Sequence, residues 1–220
     1  MADTAAERLQ ARRTLLALIR RRQRPGTGSS AVALMQTEAT RMRWWDDVDA
    51  ALGTIPHAVV GAVAANRYMP PRQTADLDIA VRSNDLGTAE AALARAGWTR
   101  LGELRLAGGL AGSAWRHLLG NEAVLVGVPD ELGRELIAAA RPDAGSRLPF
   151  AALEHVVMLK LIASRGRDIG DLTSMLGLAS EARLQPVRAV VRAHGSPEDA
   201  VDLEQLIAQG RLEHAAEGTP

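Results

Sequence analysis

The chain of 220 residues carries no net charge and is 47% hydrophobic, which is enough to bury the core of one main domain, with or without a helical extension. Zero net charge excludes a global attraction to nucleic acid, and the absence of cysteine excludes disulfides, thiolate catalysis and cysteine-type zinc sites. No apolar run approaches the roughly 20 residues of a membrane span, and the charged start is not a secretory signal, so we expect a cytoplasmic protein without membrane contact.

The first predicted elements are two helices joined by a linker. A helix is predicted over 4–24 and ends in the basic run Arg20–Arg24. The segment 25–30, which consists of Pro, Gly, Thr and Ser, ends this helix and forms the linker. The basic run could contact RNA phosphates or an acidic partner, but a solvated helix end explains it equally well. A second helix is predicted over 33–52.

The next predicted unit is a strand, a helix and a strand, and it contains two closely spaced carboxylates. The three elements lie near 58–61, 62–68 and 76–82. Asp76 and Asp78 lie two residues apart in the second strand, so they face the same side of the sheet. Two like charges at this distance are mutually unfavourable, and a divalent cation is the most economical reason for the arrangement.

The remaining predicted elements are mixed at first and then entirely helical. The helices cover 85–96, 131–140, 150–165, 168–177, 184–194 and 197–209, and short strands include 114–119 and 123–128. The run 141–146 contains Pro and Gly and marks the favoured subdomain boundary.

The spacing between the glycine turn and the carboxylate pair matches a known signature. The first strand ends at Gly61-Ala62, a gap of 13 residues follows, and Asp76-Leu77-Asp78 comes next. This spacing resembles the signature of the nucleotidyltransferase (DNA polymerase β-like) superfamily, and residues 68–78 resemble the minimal nucleotidyltransferases of the AbiEii toxin group.

The resemblance implies an architecture in three parts. The fold class is α/β (α+β), with the mixed sheet and flanking helices of a nucleotidyltransferase followed by an all-helical C-terminal subdomain. With the elements above, we expect a basic helix and linker over 1–30, a nucleotidyltransferase-like core over 31–143 and the helical subdomain over 144–220.

The resemblance also implies an activity. It is the Mg²⁺-dependent transfer of a nucleoside monophosphate from an NTP to a tRNA or protein acceptor, as in a toxin that has a cognate antitoxin. Asp76 and Asp78 would be catalytic metal ligands, and the turn at Gly61 and Ala62 would bring backbone N–H groups to a phosphate. Two alternatives stay open: a degenerate member that binds a nucleotide or a partner without transfer, and a small-molecule (antibiotic) nucleotidyltransferase.

Three further residues are assigned to nucleotide binding by the resemblance. Arg72 and Thr74 match the pattern Arg-x-Thr-x-Asp-x-Asp, although Arg72 could equally pair with a carboxylate. Lys160 is the single lysine among 26 lysines and arginines, which indicates a position that needs the compact ammonium group. It could contact the triphosphate, or its stem could simply cover apolar surface.

Charged residues after Lys160 predict a structural network. Arg165, Asp168 and Asp171 are three residues apart and therefore lie along one helix edge. We favour an ion network that joins this helix to the core.

Two positions depart from the resemblance. Active members usually carry a third carboxylate on a later strand, where this chain has Val124 or Leu125. Glu122 shares a face with Val124 and could replace the missing catalytic base after a small shift. Ala62 stands where the family prefers Gly or Ser, so only backbone N–H groups could bind phosphate there.

Overall fold

The computed structural model describes residues 38–72, 74, 76–105, 109–118, 120–143 and 146–215. The N-terminal helix and linker predicted over 1–30 lie outside these residues.

The described elements are a mixture of helices and strands up to residue 150 and four consecutive helices after it. The helices are α1 (Glu38–Leu52), α2 (Gly61–Ala65), α3 (Leu86–Arg95), α4 (Asp130–Ala139), α5 (Leu153–Ala163), α6 (Gly166–Leu178), α7 (Glu181–His194) and α8 (Pro197–Ala215), with a 3-10 turn at Ser83–Asp85. The strands are β1 (His57–Val59), β2 (Asp76–Arg82), β3 (Thr99–Arg105), β4 (Ala111–Arg116), β5 (Glu122–Val128), β6 (Arg141–Pro142) and β7 (Pro149–Phe150).

The described strands form one mixed sheet in the order β3-β4-β5-β2-β1-β7-β6. The central pair, β2 and β5, is parallel, whereas β1 runs antiparallel to β2. Strand β5 is buried along almost its whole length, as expected of a strand covered on both faces. The predicted α/β class, a mixed sheet with flanking helices followed by helices, is confirmed.

The predicted strand-helix-strand unit is present, but its helix is shorter than expected. Helix α2 ends at Ala65 instead of residue 68, because Arg67 and Tyr68 close tighter turns onto Ala64 and Ala65. The edge strands β6 and β7 were not predicted, since two residues are too few to show an alternating pattern. Strand β7 pairs with β1, so the sheet continues beyond residue 143, where we placed the end of the core.

The C-terminal helices pack tightly against one another, and α5 also packs against α2. Helix α5 buries most of its side chains, including Val157 and Leu161. Helices α6 and α8 meet at Gly177 and Gly210, where a Cβ on either glycine would overlap the backbone of the opposite helix. Small residues at this crossing therefore fix how closely α6 approaches α8.

None of the described helices combines the length and the apolar character that crossing a membrane requires.

Candidate functional site

The two predicted carboxylates lie together on one face of β2. Leu77 and Ile79 are fully buried, while Asp76 and Asp78 are partly exposed on the opposite face. This alternation follows from the period of two of a strand. The predicted pairing of Asp76 with Asp78 on one face is therefore confirmed.

Gly61 allows the turn after β1 to lie directly against Asp78. Its φ is +62°, a left-handed conformation that favours glycine, and a Cβ at this position would overlap the Asp78 carboxylate. The backbone N–H of Val60 donates to the backbone oxygen of Asp78 at 2.9 Å. The glycine that marks the motif in the sequence is thus required both by backbone conformation and by space.

A cavity of about 110 Å³ opens over this turn and the carboxylates. Seven of the eight predicted site residues line it: Gly61, Ala62, Arg72, Thr74, Asp76, Asp78 and Lys160. The wall opposite β2 comes from α5, α6 and the residues between them, and includes Ala163, Arg165, Arg167 and Asp168. We call this cavity the site pocket.

The environment of Asp78 disfavours its charge. Burial, and to a lesser extent the neighbouring Asp76, raise the pKa of Asp78 to about 6, although Arg165, Lys160 and Arg167 act in the opposite direction. Thr74 donates its hydroxyl to the Asp76 carboxylate at 2.8 Å. Among the described residues, no cation lies within ion-pair distance of Asp76 or Asp78.

A second pair of carboxylates near the pocket is fully neutralised by the protein. Lys160 Nζ lies 2.6 Å from Asp171 and 3.1 Å from Asp168. Arg72 donates to both Asp171 oxygens at 2.8 Å, and Arg165 Nε lies 2.7 Å from Asp168. The three cations and two carboxylates form what we call the ion network.

The ion network joins α5 and α6 to the segment that leads into β2. Burial raises the pKa of Asp171, but the hydrogen bonds from Arg72 and the charge and hydrogen bond of Lys160 outweigh it, so its pKa is lower than usual. These contacts agree with the ion network that we favoured for Arg165, Asp168 and Asp171. Arg72 was expected either to bind the nucleotide or to pair with a carboxylate, and in the structure it pairs with Asp171.

Lys160 is buried, with 6% of its side chain exposed, and its ammonium is shared by two aspartates. It therefore does not lie on an apolar surface as a solvated side chain. Lys160 also lines the site pocket, although its charge is already paired. Its contact with a triphosphate stays a prediction.

Arg167 lines the pocket but was not singled out in the sequence. It is exposed, and among the described residues no carboxylate lies within ion-pair distance of it. It is the second residue of α6, where the helix dipole disfavours a cation. A cation at the start of a helix is the signal that could have identified it.

Glu122 is the one predicted site residue that does not line the pocket. The register of the parallel strands places it beside Asp76, yet its carboxylate accepts from Arg116 at 2.8 Å. The residue beside Asp78 is Val124, and Val126 lines the pocket. Strand β5 thus presents valines where the resemblance calls for an acid.

The donor set of β2 fits a hard divalent cation that also binds a substrate. Among the described residues, there is no group of three or more His, Cys, Asp or Glu side chains that could hold a metal ion. Mg²⁺ is commonly held by only one or two carboxylates, with substrate phosphates and water completing its shell. Asp76 and Asp78 suit that mode of binding, because a bound cation offsets their mutual repulsion.

Solved structures that are similar to this chain include nucleotidyltransferases. A solution structure of the antibiotic-resistance factor ANT(2'')-Ia is 15% identical with a TM-score of 0.42, covering 82% of this chain and 96% of that one. Its crystal structure in complex with adenylyl-2''-tobramycin is 16% identical with a TM-score of 0.43, covering 80% and 99%. Terminal uridylyl transferase 4 from Trypanosoma brucei, with bound UPU, is 12% identical with a TM-score of 0.32, covering 95% and 72%.

Likenesses of this size say nothing about the substrate of this chain. No protein-family profile matches it, and no curated protein matches it significantly.

Proposed function

We propose that the chain is a nucleotidyltransferase that binds the triphosphate of an NTP with Mg²⁺ in the site pocket and transfers the nucleoside monophosphate to an acceptor hydroxyl. One observation carries the proposal: two unneutralised carboxylates and the cations Arg165 and Arg167 line the same small pocket. A metal-bound triphosphate carries positive charge on one side and negative charge on the other, and so complements both groups.

The protein would act mainly by positioning and by charge. Asp76 and Asp78 would hold the Mg²⁺, which when bound neutralises charge on the phosphate oxygens. Arg167 would bind phosphate oxygens from the opposite wall, since its guanidinium has no carboxylate partner among the described residues. The acceptor oxygen forms a bond to the α-phosphorus, and the bond between the α-phosphorus and the oxygen that bridges to the β-phosphate breaks. Pyrophosphate is the leaving group, and the proton of the acceptor hydroxyl passes to water.

The test is incubation with each radiolabelled NTP, Mg²⁺ and total cellular RNA or protein. We expect label to enter one acceptor class, and Asp76→Asn to abolish the transfer because one of the two carboxylates that would hold the Mg²⁺ is neutralised. Glu131→Gln, an exposed acid at the start of α4, is the matched control and should transfer normally. Undiminished transfer by Asp76→Asn would contradict the catalytic role of the pair.

The same assay identifies the acceptor. Label in tRNA or protein supports the acceptors implied by the AbiEii-like resemblance, whereas label in an added aminoglycoside supports a small-molecule acceptor. A toxin role predicts growth arrest on expression, and relief of that arrest by the product of a neighbouring antitoxin gene.

A second candidate function is nucleotide binding without transfer. The observation that favours it is β5, which places Val124 beside Asp78 and leaves Glu122 bound to Arg116. In that case calorimetry would detect Mg²⁺-dependent NTP binding, and Asp76→Asn would lose it. The transfer assay would give no labelled product with any NTP or acceptor.

A further inference from the structure

A second cavity, of about 300 Å³, lies away from the carboxylates and is rich in arginine. Three guanidinium groups line it, from the segment after α2 (Arg67), from β6 (Arg141) and from the first turn of α7 (Arg183). The aromatic rings of Tyr68 and Phe150 complete the wall. We call it the arginine cavity.

Two of the guanidinium groups are held over aromatic rings. The Arg67 guanidinium lies 3.9 Å from the centre of the Phe150 ring, and that of Arg183 lies 5.5 Å from the centre of the Tyr68 ring. Tyr68 is itself fixed, because its hydroxyl donates to the backbone oxygen of Ala151 at 3.0 Å. Stacking leaves the in-plane N–H donors of a guanidinium available and reduces the entropy lost on binding.

The cavity is positively charged although the whole chain is neutral. Among the described residues, only Asp143 lies within ion-pair distance of any of the three arginines, and it pairs with Arg67. Arg141 is held by hydrogen bonds from its Nη1 to the backbone oxygens of Ala138 and Ala140, both at 2.7 Å. Two guanidinium charges, those of Arg141 and Arg183, are therefore not neutralised by a carboxylate of the described chain.

The segment that contains helix α2 connects the site pocket to the arginine cavity. Helix α2 begins with Gly61 in the site pocket and leads to Arg67 in the arginine cavity, a path on the order of 10 Å at the rise of a helix. Phe150 pairs with Val59, the residue before Val60 of the site pocket. The two cavities therefore lie within the length of a few nucleotides of each other along the chain.

We infer that the arginine cavity binds the phosphate backbone of an RNA strand whose terminal hydroxyl enters the site pocket. The acceptor role rests on the proposed function, but the binding itself does not. Guanidinium forks match phosphate oxygens, and a positively charged groove that follows the backbone is how proteins hold single strands without reading their sequence. An acidic peptide would use the same charges without supplying a sugar hydroxyl.

The experiment measures binding of a fluorescent single-stranded RNA to the full chain by anisotropy, without NTP, at several salt concentrations. The double variant Arg141→Ala/Arg183→Ala should bind about ten-fold or more weakly, since two charge-assisted contacts are lost. Its slope of log affinity against log salt should decrease by about 0.7 per arginine. Arg95→Ala, an exposed arginine of α3, is the matched control and should bind as the unaltered chain does.

Three results would overturn the inference: unchanged RNA binding in the double variant, equal weakening by Arg95→Ala, or tighter binding of a poly-glutamate peptide than of RNA of the same charge. Arg141→Lys/Arg183→Lys should recover part of the affinity, which separates lost charge from misfolding. A chain that binds RNA through these arginines but transfers no label would support the inference and refute the proposed function. If the chain transfers label but the double variant binds RNA normally, the proposed function is supported and the inference is refuted.

Discussion

Two pairs of aspartates lie in or beside the site pocket, and the protein treats them in opposite ways. Asp168 and Asp171 are buried and contact three cations of the chain, whereas Asp76 and Asp78 face the pocket without an ion-pair partner among the described residues. A buried charge is tolerated only when it is paired and hydrogen-bonded. The charges of Asp168 and Asp171 are therefore neutralised within the folded chain. Those of Asp76 and Asp78 are not, and a positively charged ligand can neutralise them.

The comparison also distinguishes the cations. Arg72 and Lys160 are bound to Asp171, so their charge is largely cancelled before any ligand arrives. Arg167, which has no such partner in the described chain, can give its full charge to a phosphate. Pairing within the protein thus separates cations that shape the pocket from a cation that can bind a substrate.

The largest expected effect comes from neutralising one aspartate of each pair. Asp171→Asn should destabilise the fold by about 3–5 kcal/mol, because Lys160 and Arg72 lose the charge of their shared partner. Asp76→Asn, the same change in the pair that lines the pocket, should leave stability unchanged or raise it, because it removes repulsion from Asp78. Urea unfolding measures both free energies, and equal losses would mean that the two pairs do not differ as we describe.

A smaller effect is expected from filling the space beside Asp78. Gly61→Ala should destabilise the fold by about 1–3 kcal/mol and weaken Mg²⁺-dependent NTP binding, because the new methyl group pushes the carboxylate aside. Gly97→Ala is the matched control: its φ is +84°, but a Cβ there meets no atom within 4 Å. If both variants lose the same stability and neither loses binding, backbone conformation alone explains Gly61.

The remaining expected effect is a pH dependence that arises from Asp78. Its pKa is raised from 3.8 to about 6, so the folded chain binds this proton more tightly than the unfolded chain does. The contribution of Asp78 to the free energy of unfolding should therefore fall as pH rises from about 4 through 6 and then level off. Stabilisation by Mg²⁺ with NTP should increase over the same interval, since the cation binds the ionised form.

The pH dependence can be measured by thermal unfolding across this range. Asp78→Asn removes the titrating group and should remove this part of the slope. A slope that is unchanged in Asp78→Asn would assign the titration to other groups.

Local patterns in the sequence were sufficient for the β2 face of the site. The alternation of Asp76-Leu77-Asp78 within a strand and the glycine before a short helix are properties of neighbouring residues, and both are found in the structure. The fold class followed from the same kind of pattern, because alternating strands and helices leave few architectures.

Contacts between side chains of different helices or strands could not be predicted in the same way. A sole lysine indicates that an ammonium group is needed, but not whether its partner is a phosphate or, as here, two aspartates of the next helix. Glu122 was expected near the carboxylate pair, and the strand register places it there, yet Arg116 of the adjacent strand holds its side chain. The ion pair depends on the register of the hairpin formed by β4 and β5, which the pattern of either strand alone does not specify.

The close crossing of α6 and α8 has a consequence for how short the working protein can be. Arg167 and both aspartates of the ion network belong to α6, and Gly177 of that helix lies against Gly210 near the far end of the chain. No residue of α8 lines the site pocket, so a fragment that stops before Pro197 would retain every pocket-lining side chain. Such a truncation would nonetheless remove the support that holds α6 in place, and the minimal functional unit therefore includes the last helix.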